Sequence, residues 1–181
     1  SLMVLHESRR AARSTAEGEL VALEEQNRSL WDRERIVEGT ALARAAFSGG
    51  LAAGRLGPYA LQAAIAAVHG TAKSLEATNW TEIVGLYDLL LQVAPSPVVA
   101  LNRAVAVAMR DGPEAGLALV DEILAQGELA EYHLAHATRA DLCRRLGRRE
   151  EARVAYERAL ALANQEPERR FLAQRLANLD R

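Results

Sequence analysis

A single cysteine, Cys143, stands among 181 residues. One thiol rules out a disulfide framework and any cysteine-rich metal site. Lysine is as scarce: Lys73 is alone, and the other 21 basic side chains are arginines. Aromatic residues make up only 4% of the chain. Uncharged apolar stretches such as Val98–Leu101 fall far short of the roughly 20 residues that cross a bilayer. No secretory signal pattern leads the sequence, so the expectation is a cytoplasmic protein with no membrane partner. A net charge of −2 lacks the basic footprint of duplex-binding domains. Ser-His-Asp ordering, paired-carboxylate motifs, P-loops and dinucleotide fingerprints are missing as well. The residues therefore read as a non-enzyme that needs no cofactor.

What the chain has in quantity is alanine and leucine, which fill 63 of the 181 positions. That composition, with half of all residues apolar, is enough for a domain with a real core and points to helices. A GC-rich coding sequence accounts for the joint excess of Ala, Arg, Leu and Gly. No stretch alternates with period two, so a sheet is not expected. Leu2, Leu5 and the run Arg9–Arg13 predict a helix already under way at residue 1, as in a fragment of a longer protein. A turn-like Ser-Thr-Ala-Glu-Gly follows from Ser14. Ser29 to Asp32 resembles a capping box, opening a helix that ends at Ser48-Gly49-Gly50. Beyond it, Pro58, Pro97, Pro113 and Pro167 fall where a first helical turn tolerates a missing N–H, and Ser96 is placed as an N-cap. Gly70, Gly112, Gly127 and Gly147 fall where left-handed caps are wanted. Helices are predicted at about 58–70, 80–94, 97–110, 113–126, 130–146, 148–164 and 167–179, about nine in all.

Three segments repeat. Ile83 to Leu91, Gly116 to Leu124 and Ala152 to Leu160 each place a packing residue first, Tyr87, Val120 or Tyr156 fifth, an acid sixth and leucine ninth. The offsets, 33 and 36 residues, bracket the 34-residue tetratricopeptide (TPR) period. Small residues (Ala104, Ala140, Ala152 and Ala159) would let helices approach, with Tyr87 and Tyr156 filling the gap to the next repeat. Gly116 and Val120 depart most from the TPR consensus. The expectation is an all-α, TPR-like α-solenoid of about nine helices. It comprises an N-terminal helical segment (1–57) packing on the repeats, and TPR-like repeats with a C-terminal capping helix (58–181).

Three strings carry a family resemblance. They are Leu23-Glu24-Glu25-Gln26-Asn27-Arg28-Ser29-Leu30-Trp31-Asp32, the stretch from Ala94 through Pro95-Ser96-Pro97 to Ala108, and Tyr132-His133-Leu134-Ala135-His136 to Leu142. Together they resemble the TPR-containing C-terminal extension of a group of extracytoplasmic-function (ECF) sigma factors, the alternative sigma subunits of bacterial RNA polymerase. The resemblance covers essentially the whole chain; Asn27 stands where the family usually has aspartate. It implies a regulatory module that contacts sigma regions of the same chain, RNA polymerase or another protein. It also implies that DNA is met only through sigma regions outside these residues. A stand-alone TPR adaptor unrelated to transcription is the alternative.

Candidate contacts follow. Gln26, Arg28 and Trp31, with Asn27, form a polar cluster ending in a large aromatic. They suit either a partner contact or a loop tied down by hydrogen bonds around a buried Trp31. Asn102, Arg103 and Arg139 fall on first helices of repeats, where Asn and Arg clamp peptide backbones or carboxylates. The competing account is an internal network, for example to Asp141 or Asp111. His133 and His136 share a helix face, yet zinc sites want three or four ligands. The run Arg144, Arg145, Arg148 and Arg149 reads as a solvated turn, Trp80 as a core plug and Cys143 as a buried small hydrophobe.

Overall fold

The computed structural model describes residues 1–15 and 19–180, so Ala16, Glu17 and Gly18 of the expected turn lie outside the described residues. On either side of them, Ser14 and Leu20 form an isolated antiparallel bridge. Nine α-helices form among the described residues: α1 (Leu2–Glu7), α2 (Arg33–Ala52), α3 (Pro58–Thr71), α4 (Trp80–Val93), α5 (Pro97–Asp111), α6 (Pro113–Ala125), α7 (His133–Arg145), α8 (Arg149–Leu162) and α9 (Glu166–Ala177). The fold class is all-α, with no strand among the described residues. No helix among them is long and apolar enough to cross a membrane. Two compact units result, Ser1–Pro95 and Ser96–Arg181. Residues 57 and 58 fall within the first unit, between α2 and α3, which pack directly on each other.

Local chemistry decides where the first unit departs from sequence expectation. α1 stops at Glu7 because side chains take the carbonyls a longer helix would use. The Ser8 hydroxyl donates to Leu5 O at 2.7 Å, and Arg13 donates to His6 O at 3.0 Å. The N-cap of α2 is Asp32 rather than Ser29: Asp32 Oδ1 accepts from the Arg35 N–H at 3.1 Å. Ser29 is occupied, donating its N–H and hydroxyl to Asn27 Oδ1 at 3.0 and 2.7 Å. α2 also runs through Gly49-Gly50, whose cost of about 1 kcal/mol each relative to alanine is too small to break a helix. The stop comes at Gly54, with φ of +64°. Gly70 is not a cap but an interior residue of α3, where an added Cβ would sit 3.4 Å from Ile36 Cγ2. α1, α2 and α3 bury Leu5, Ala43, Ala63, Ala66 and Ala67 between them, and α4 packs on α3.

In the second unit consecutive helices pack, α5 on α6, α6 on α7, α7 on α8 and α8 on α9. Gly112, Gly127 and Gly147 have positive φ, as predicted. Gly112 alone joins α5 to α6, so the two must run antiparallel. Their backbones nearly touch: a Cβ on Gly116 would lie 2.3 Å from Ala108 Cβ and 2.9 Å from Ala104 O. Gly116, one of the two residues that depart from the repeat consensus, thus permits this close crossing. Ala104, Ala140, Ala152 and Ala159 have no exposed surface, and Tyr156 is buried while Tyr87 is partly so. The first position of each repeat segment, Ile83, Gly116 and Ala152, is buried in all three. α7 begins at His133, three residues later than predicted, after a connection carrying Gly127 and the buried Leu129.

Candidate functional site

The entry loop between the Ser14–Leu20 bridge and α2 is held by its own side chains. Gln26 donates from Nε2 to Val21 O at 3.3 Å. Arg28 reaches across to the end of α3, where Nη1 donates to His69 O at 3.1 Å and Ala72 O at 2.7 Å. A cation at a helix C-terminus meets both unpaired carbonyls and the negative end of the dipole. The same guanidinium lies 4.5 Å from the centroid of Trp31, and that of Arg9 lies 5.6 Å from it. Trp31 is 3% exposed and packs with Ala12, Ile36 and Leu23. Gln26, Arg28 and Trp31 are therefore brought together, in an anchor that fastens the loop to α3. Burial, with the charges of Arg9 and Arg28, pushes His69 down to about 4, so this imidazole is neutral at physiological pH. Its ring meets Trp80 edge-on at 5.3 Å; Trp80 is only partly buried and donates from Nε1 to Leu75 O.

The second set divides. Arg139 on α7 donates from Nε to Asp121 on α6 at 2.7 Å and from Nη2 to Glu151 on α8 at 3.3 Å. An internal network thus exists, with acids other than those the sequence nominated. Asp141 pairs with Arg144 at 2.6 Å, and Asp111 with Arg110 at 2.8 Å. Arg103 is partly buried and engaged by a neighbouring group. Asn102 is exposed, between Val98 and Val105 on one stripe of α5.

His133 and His136 do not converge. His133 Nε2 lies 3.3 Å from Glu168 of α9, while His136 Nε2 contacts Ala130 O at 2.8 Å. No group of three or more His, Cys, Asp and Glu side chains gathers among the described residues. Cys143 has no exposed surface, and burial raises its thiol pKa. Of the arginine run, Arg144 and Arg148 pair with Asp141 and Glu151 and Arg145 contacts Met109 Sδ, all at the surface of the α7–α8 turn.

Sequence reading missed a cavity of about 400 Å³ between α2, α3 and α4. Its apolar wall comes from Ala43, Ala64, Ala67 and Leu86, and its polar side from Thr40, Arg44 and Glu82. Thr40, Ala43, Arg44 and Phe47 recur at three- and four-residue spacing, one stripe of α2. The signal available in the sequence was that this stripe is polar at Thr40 and Arg44 where core packing would want an apolar side chain.

No solved structure matches the chain. A family of unknown function, DUF6596, matches residues 1–47, which hold α1, the entry loop and most of α2. Uncharacterized protein R00370 of Rhizobium meliloti (strain 1021) is 46% identical over 180 residues, which is 99% of this chain. The chain spans 41% of that relative's length.

Proposed function

We propose that this chain is a non-catalytic protein-interaction module of a larger regulatory protein of the ECF sigma-factor kind, working in the cytoplasm through a TPR-like array. The observation that carries the reading is the resemblance of the Ala94–Ala108 string to the TPR-containing extensions of such factors. Support comes from the length of the Rhizobium relative, more than half of which lies outside the aligned part. That leaves room for regions that read promoters and bind polymerase. The exposed stripe Val98, Asn102 and Val105 on α5 offers a docking edge with an apolar and a hydrogen-bonding component. Gln26, Arg28 and Trp31 hold the first unit in shape, and Arg139 does the same in the second. Binding of a sigma segment there biases whether the sigma regions are free to engage polymerase.

The test is promoter-dependent transcription with purified RNA polymerase, comparing the full-length gene product with one carrying Asn102→Asp and Val105→Glu. The expected result is a changed transcription rate and weakened binding of the sigma regions, with an unchanged melting temperature. A full-length product without sigma regions, or one whose transcription and binding ignore the pair of substitutions, overturns the reading. The first outcome leaves a TPR adaptor unrelated to transcription.

A further inference from the structure

We propose that the cavity between α2, α3 and α4 binds a small monocarboxylate with an apolar tail, its carboxylate at Arg44 and its tail against the alanine wall. The volume, about 400 Å³, falls within the range of small-molecule sites. The chain's own side chains do not fill it because Ala43, Ala64 and Ala67 are small, and neighbouring Phe47 lines it only from one side. Small residues alone would make a packing gap. Two polar groups on α2 make it a site.

Thr40 is 9% exposed, lines the cavity, and has a buried hydroxyl with no hydrogen-bond partner. Such a donor costs about 1–3 kcal/mol when left unmet in the interior. Arg44, one turn further on, lines the same cavity and is exposed, with no ionic or hydrogen-bonding partner among the described residues. Residues four apart on a helix lie one above the other, so Thr40 and Arg44 line one wall of the cavity, with the guanidinium as the donor open to a ligand. The facing carboxylate is not an equal counterweight. Glu82 already accepts from Asn79 Nδ2 at 3.0 Å, as part of the cap of α4. Arg44 and Glu82 leave the lining with no net charge, which admits one carboxylate at Arg44 and disfavours a dianion such as a phosphate monoester. The alanine wall selects an unbranched or flat apolar body over a sugar or a nucleoside.

Octanoate is the probe, titrated into the intact chain by calorimetry, with 1-octanol as the uncharged control and backbone amide shifts to place the ligand. Saturable one-site binding is expected, with shifts centred on α2 and α3. Arg44→Gln is expected to weaken octanoate about fivefold, the upper range for an exposed charge pair, and to leave octanol unchanged. Glu82→Gln is expected to tighten octanoate by a similar factor. Ala64→Phe, at a partly exposed position, is expected to abolish binding of both ligands while the far-ultraviolet circular dichroism stays the same. Absence of saturable binding at millimolar octanoate overturns the proposal. So does an affinity indifferent to Arg44→Gln, which is a surface change that does not threaten folding.

Discussion

Arg28 stacks over Trp31 while its Nη1 closes the end of α3, so a single side chain joins the entry loop to a helix more than 40 positions away. Truncation to Arg28→Ala removes two charge-assisted hydrogen bonds to backbone carbonyls together with the contact on the ring. A loss of about 2–3 kcal/mol is expected in urea unfolding. Arg28→Lys recovers less than half of it, since an ammonium lacks the planar fork that serves ring and carbonyls together. Equal stability of the lysine and native proteins would sink this account.

Gly116→Ala forces a methyl group against Ala108 Cβ and the carbonyl of Ala104, where the separation would be 2.3 and 2.9 Å. One contact is backbone, so the strain cannot be relieved by a rotamer change. Destabilisation of about 2–3 kcal/mol is expected. A matched substitution at Gly85, where an added Cβ meets nothing within 4 Å, is expected to be neutral or stabilising. Thermal melts of the two variants make the comparison.

The lowered pKa of His69 gives stability a pH dependence with a definite sign. The unfolded chain takes up a proton near 6.5, whereas the folded one resists until about 4. Between those values the unfolded state binds more protons, so stability is full above 6.5 and falls as the pH is lowered toward 4. The loss approaches about 3 kcal/mol at the bottom of the window. Urea midpoints of the native protein and His69→Gln, taken at pH 7 and pH 5, should diverge in slope. Parallel slopes would remove His69 as the cause.

The pair Arg139 and Asp121 is expected to couple by about 0.5–1 kcal/mol in a double-mutant cycle with Arg139→Ala and Asp121→Asn, because the acid is half exposed. Partner binding should change no more than stability does. Binding lost at unaltered stability would return Arg139 to the docking surface.

Much of the helical layout was legible because prolines and glycines punctuate it. Pro58, Pro97, Pro113 and Pro167 each sit in a first turn, and Gly112, Gly127 and Gly147 take the left-handed turns. Gly70 lies inside α3 where the sequence predicts a cap, while Gly54, which takes a positive φ after α2, carried no such prediction. A glycine that serves close packing against Ile36 looks the same in sequence as one that ends a helix. The aromatic-polar cluster at Gln26–Trp31 was visible as a group, but its target, the carbonyls of His69 and Ala72, was not. Partners that distant in the chain leave no local pattern. The cavity was hidden for a related reason, since empty space is a property of three helices together and of no one segment.

The one-residue link at Gly112 bears on how the second unit assembles. α5 and α6 meet without any loop to close, so their contacts form between residues close along the chain, which favours rapid folding. The α7–α8 pair, joined across three residues, shares this property. Each hairpin forms on contacts close along the chain. At the far end α9 rests chiefly on α8 and buries only Leu172 within its span. Limited proteolysis under native conditions should therefore release α9 first and leave the Gly112 hairpin intact the longest.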